Sequence, residues 1–110
     1  MITHHLVPAV EWARVRAGLP FRAASLADEG FVHCTTGPDE LIATANRHYR
    51  ADPRPFVVLD LDLDRVGAPW RYDSADTRFP HIYGEIAAEA IARVRTLRRD
   101  VDGTFLAIEG

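Results

Sequence analysis

Apolar and polar positions change period several times along this chain, and each change marks an element. From Ile2 to Val7 the side chains alternate, with Ile2, His4 and Leu6 on one face and Thr3, His5 and Val7 on the other, as in a strand. Beyond Pro8 the spacing of Val10, Ala13 and Ala17, with Trp12 beside them, lengthens to three or four residues and predicts a helix stopped by Gly18 and Pro20. Phe21 to Ala27 reads as a short strand or turn, and Asp28-Glu29-Gly30 is a turn leading into a strand from Phe31 to Thr35. The run Thr36-Gly37-Pro38-Asp39-Glu40 then joins a capping hydroxyl, a proline and two acids. It predicts a helix to about Tyr49 with the stripe Leu41, Ile42, Ala45 and Tyr49 inward.

After Pro53 and Pro55, Phe56 to Leu63 is the strongest strand in the sequence and is expected to be central. Gly67-Ala68-Pro69 breaks the chain before strands at Trp70–Asp73 and Pro80–Ile86, separated by a polar connection. Ala87–Ala90 is a brief helical turn, Ile91–Leu97 alternates with Arg93 and Arg95 outward, and Asp102-Gly103 signals a hairpin back into Thr104–Ile108. Because the later strands follow one another without helices, the expected class is α+β: a mixed, mainly antiparallel sheet with two principal helices.

At 110 residues, 47% hydrophobic and 26% charged, the chain has room for one domain over 1–110 but not for a separate cofactor domain. Its longest apolar runs are far too short to span a bilayer, and no signal peptide is evident, so a cytoplasmic location without membrane contact is expected. A single cysteine, Cys34, excludes an internal disulfide and a multi-cysteine metal site. The net charge of −3 comes from 16 acids and 13 basic residues, all arginine and scattered, which argues against a duplex nucleic-acid partner. The absence of lysine closes Schiff-base and phosphate-loop chemistry.

The candidate chemistry lies in histidines on predicted strands. Val32 and Cys34 suit the core, which sends His33 and Thr35 to the other face; Ile82 likewise sends His81 and Tyr83 outward, and His5 lies opposite Leu6. If the three strands share a sheet, His5, His33 and His81 converge on one cleft. His33 and His81 are then the candidate proton-transfer pair, with Thr35, Asn46 and Tyr83 as hydrogen-bonding positioners. The competing readings are that each histidine is an ordinary hydrogen-bonded residue, or that the three hold zinc, which lacks a carboxylate partner at ligand spacing. Cys34 is expected to be a buried apolar thiol, since its neighbour His33 faces the other way. Asp60, Asp62 and Asp64 share a strand face and are expected to be solvated.

The stretches from Ser25 to Thr35 and from Phe79 to Gly84, with His5-Leu6-Val7-Pro8, Trp12, Ala45-Asn46-Arg47 and Tyr49, resemble the bacterial family called domain of unknown function 952 over nearly the whole chain. That family is similar in fold to the ADP-ribosyltransferases. The resemblance implies a cleft for NAD or a related nucleotide, with His5 as the first-strand histidine and Gly30–Tyr49 covering the nicotinamide. Asp73 stands where the family usually has Glu, and His4 where it often has Tyr. The expected ligand is therefore a nucleotide or phosphorylated small molecule, bound by His5, Thr35, Asn46, Asp73 and Tyr83 around His33 and His81, without a metal and without efficient ADP-ribosyl transfer. A noncatalytic ligand-binding module and a structural or interaction protein are the alternatives.

Overall fold

Two antiparallel sheets, and not one, carry the strands in the computed structural model, which describes residues 1–110. In chain order the elements are β1 (Ile2–Pro8), α1 (Ala9–Trp12), α2 (Ala24–Glu29), β2 (Val32–His33), α3 (Pro38–Tyr49), β3 (Phe56–Asp62), β4 (Trp70–Tyr72), β5 (Pro80–Ile82), β6 (Ile91–Arg99) and β7 (Phe105–Glu109). The larger sheet has the order β1-β3-β6-β7 and the smaller one β2-β5-β4, with every pairing antiparallel. β3 is interior, as its continuous apolar character requires: Val58, Leu59 and Leu61 are fully buried. The two sheets meet at a corner, where His4 and Thr35 exchange backbone hydrogen bonds at 2.9 and 2.8 Å.

The main core fills the space between the sheets. Val7, Leu59 and Leu61 face Val32, Cys34 and Ile82, with Phe21, Ile86 and Ala90 closing the margin. Cys34 is a buried free thiol, and burial pushes its ionisation well above the usual range. On the opposite face of the larger sheet, α3 packs Ala45 and Ile42 against Leu6, Phe56, Leu97 and Phe105. No helix is long and apolar enough to cross a membrane.

Only α3 is a substantial helix, so the expectation of two principal helices fails at the first. The segment after β1 holds a helix for four residues and then continues as turns to Leu19. Val10 is 56% exposed and Ala13 and Ala17 lie in solvent, so the apolar stripe there buries too little surface to hold further turns. Phe21–Ala27 is likewise not a strand: it contributes a bridge from Phe21 to Ile86 and then the start of α2. The outward placement of Arg95 and the solvation of Asp60 are also overturned. β3 and β6 present both residues on the α3 side, where Asp60 is buried and accepts from His4 Nδ1 at 2.8 Å and from Arg95 Nη2 at 3.0 Å. Such a charge needs partners to be buried at all.

Candidate functional site

The outer face of the β2-β5-β4 sheet carries a row of chemistry. β2 pairs with β5 so that His33 lies opposite His81, and β5 pairs with β4 so that His81 lies opposite Arg71. Inward-facing Val32 and Ile82 are fully buried, and by alternation this turns the row outward. The approach to β2 is set by Gly30, whose left-handed backbone (φ 85°) ends α2 and returns its N–H to the Leu26 carbonyl at 3.0 Å. That turn leaves Glu29 at the end of α2, where its carboxylate accepts from His33 Nε2, and delivers Phe31 beside the histidines.

Phe31 stacks on His81 with ring centroids 4.1 Å apart and meets His33 edge-on at 4.6 Å. The two imidazoles are 5.3 Å apart and nearly perpendicular. Just beyond β4, Asp73 ties the far side together: it accepts from His81 Nδ1 at 2.7 Å, from Arg71 Nε at 2.6 Å and from the Tyr83 hydroxyl. Arg71 also lies 4.3 Å above the Tyr83 ring. The hydrogen bonds from Tyr83, Arg71 and His81 hold the Asp73 carboxyl far below the usual carboxylate range. The hydrogen bond that Tyr83 donates to Asp73, with some burial, raises its phenol above the ordinary value.

These bonds distinguish the two histidines chemically. His81 gives its Nδ1–H to Asp73 and keeps Nε2 free of any protein partner, the arrangement in which a carboxylate orients an imidazole as a base. His33 is engaged through Nε2 by Glu29, leaving Nδ1 free. The pair therefore offers one open nitrogen on each of two rings 5.3 Å apart, each ring steadied by its own acid. The surface is open: hollows of about 520 and 430 Å³ lie elsewhere, one between α3 and β7 and the other beyond α1. No group of three His, Cys, Asp or Glu side chains is placed to hold a metal ion.

Of the residues expected here, His33, His81, Tyr83 and Asp73 come together, and His5, Thr35 and Asn46 do not. His5 belongs to the larger sheet and faces the interior, where its Nδ1–H donates to the His33 carbonyl at 2.7 Å and its ring lies 6.1 Å from Phe21. Burial lowers its basicity. Placing the histidines in separate sheets thus puts His5 beneath the pair's backbone and not beside their rings. Thr35 is buried at the corner bridge to His4. Asn46 faces β7, where its side chain clamps both the N–H and the carbonyl of Phe105, at 2.7 and 3.0 Å.

Phe31, Arg71 and Glu29 were missing from the expected set. Phe31 lies two positions before His33, and Arg71 sits between Trp70 and Tyr72, so strand alternation contained a signal for both. Nothing in the sequence pairs Glu29 with His33 until Gly30 is known to end a helix.

A family model described as Protein of unknown function (DUF952) matches residues 6–94. Among solved structures the chain is similar in fold to the crystal structure of CC0527 from Caulobacter crescentus, at 23% identity and a TM-score of 0.78, over 96% of this chain and 94% of that one. The solution structure of CC0527 is similar at 25% identity and a TM-score of 0.69, covering 93% and 89%. No curated protein matches the chain.

Proposed function

The chain belongs to the DUF952 family, and we propose that its His33/His81 face binds a nucleotide or other phosphorylated small molecule and transfers protons to or from it. The observation that carries this reading is the cross-strand pair of imidazoles, each held by a separate carboxylate, with one ring nitrogen of each left open. His81, oriented by Asp73, serves as the base and His33 as the acid; Phe31 and Tyr83 offer ring surface to a planar part of the ligand.

Charge sets a condition on that ligand. Glu29 and Asp73 against Arg71 give a formal −1 before the imidazoles are counted, so a phosphate has to be met by the ring nitrogens and not by this set of charges. The motif resemblance to ADP-ribosyltransferase-like proteins makes NAD a ligand to test, but transfer of ADP-ribose has weaker support. That reaction leaves positive charge on a ribose and needs a carboxylate facing it. Asp73 is already committed to Tyr83, Arg71 and His81. This saturation argues against ADP-ribosyl transfer at the site; a binding module without turnover is the second reading.

The test is incubation of the full chain with NAD, ADP-ribose, AMP and simple phosphodiesters, with products followed by phosphorus NMR. Acid–base catalysis predicts conversion of at least one compound, slowed about 100-fold or more in both His33→Ala and His81→Ala. Binding without conversion establishes the module, and neither binding nor conversion at millimolar ligand overturns the proposal.

A further inference from the structure

Six of the thirteen arginines are spoken for by carboxylates: Arg50, Arg54, Arg65, Arg71, Arg78 and Arg95. A seventh, Arg99, donates to backbone carbonyls of Tyr49, Arg50, Asp52, Arg54 and Gly103. Three of the remaining arginines, Arg14, Arg16 and Arg22, are exposed and line one hollow of about 430 Å³, with neither an ion pair nor a side-chain hydrogen bond. In a chain of net charge −3 that concentration is not explained by folding, because no carboxylate pairs with any of the three. Gathering three guanidinium groups costs like-charge repulsion.

The rest of the lining limits what could compensate. Glu11 is the sole acid there, and its Oε1 accepts from the Ala24 N–H at 2.9 Å. Counted formally, the hollow carries +3 from the arginines and −1 from Glu11, or +2. Val15, Leu19, Pro20 and Phe21 supply an apolar wall, and Leu19 is 52% exposed. A dianion with an organic part matches both features.

We propose that Arg14, Arg16 and Arg22 form a second binding site, for a phosphomonoester whose phosphate is held by the guanidinium groups and whose carbon skeleton lies on Leu19 and Val15. Guanidinium forks suit phosphate oxygens geometrically and remain charged throughout the physiological range. The reading stands whether or not His33 and His81 do chemistry.

Titration of the full chain with sulfate, methyl phosphate and phenyl phosphate tests it, followed through the arginine Nε–H signals by NMR. We expect the Arg14, Arg16 and Arg22 signals to move on one saturating curve while Arg47 and Arg98 stay still. At these signals phenyl phosphate should bind more tightly than methyl phosphate. Arg16→Ala should weaken binding read at the Arg14 and Arg22 signals about three- to fivefold, and Arg47→Ala should leave it unchanged. These are surface replacements that leave the core intact. Signals that move linearly across all the free arginines mean an adventitious ion only. That outcome, or equal losses in Arg16→Ala and Arg47→Ala, overturns the proposal.

Discussion

Removing the carboxylate of Asp60 should be among the most damaging single changes this chain can suffer, although no sequence pattern marks the residue. Asp60 is 5% exposed and holds two groups that lie against α3's side of the larger sheet, His4 Nδ1 at 2.8 Å and Arg95 Nη2 at 3.0 Å. The Arg95 side chain is 18% exposed, and its Nε is already buried without a partner. Asp60→Leu keeps the site apolar but strands a guanidinium, and breaking a buried pair in this way costs about 3–5 kcal/mol. The residual exposure of Arg95 places the loss near the lower end, about 3 kcal/mol, against a total stability of about 5–15 kcal/mol. In urea, with a slope of about 1.5 kcal/mol per molar, the midpoint should fall by about 2 M. Adding Arg95→Met removes the stranded charge and should restore at least half of the loss, since buried ion pairs tolerate joint apolar replacement far better than the loss of one partner. The reasoning is refuted if Asp60→Leu costs less than about 1 kcal/mol, or if the double variant is no more stable than the single one.

Two further outcomes follow from backbone geometry and from burial. Gly103 has φ +93°, and a Cβ there would lie 2.2 Å from the Arg50 carbonyl oxygen, so Gly103→Ala should cost at least about 2 kcal/mol and lower the thermal midpoint by about 10 °C. Gly18→Ala, with φ +80° but open space around it, should cost no more than half as much; equal losses would show that the clash is not the cause. Burial lowers the basicity of His5 below the ordinary imidazole value of 6.5, so the unfolded chain takes the proton more readily. Its contribution to stability is present above about pH 6.5 and is lost as the pH falls toward the depressed folded value. Melting at pH 7.5 and pH 5 should show a smaller acid-induced drop for His5→Gln than for the unaltered chain, and equal drops would remove His5 from the account.

Much of the framework was legible in the sequence because local chemistry and tertiary need agree there. The interior position of β3, the start of α3 near Pro38 and the Asp102-Gly103 hairpin all follow from residues whose preferences are strong by themselves. The division into two sheets was not legible, since alternation tells which side chains share a face of one strand but not which strands share a sheet. This is why His33 and His81 were placed together correctly while His5, equally well patterned, was placed with them and lies inside. Arg95 misled for a related reason. Both faces of β6 are only partly covered, so Val94 is 40% exposed while Arg95 is drawn inward by Asp60, and polarity there does not report direction. Asn46 looked like a ligand donor from the motif, whereas its two hydrogen bonds to Phe105 show a clamp between α3 and β7.

The account rests on His33 and His81 acting as one site. The most direct measurement is an NMR titration of the two imidazole Cε1–H signals with ADP-ribose, on the unaltered chain and on Asp73→Asn. The two signals should move together with a single dissociation constant, and Asp73→Asn should weaken the response by releasing the His81 ring while leaving the melting temperature within a few degrees. Signals that stay fixed at millimolar ligand, or that move with unrelated affinities, would contradict the claim that the cross-strand pair is a binding site.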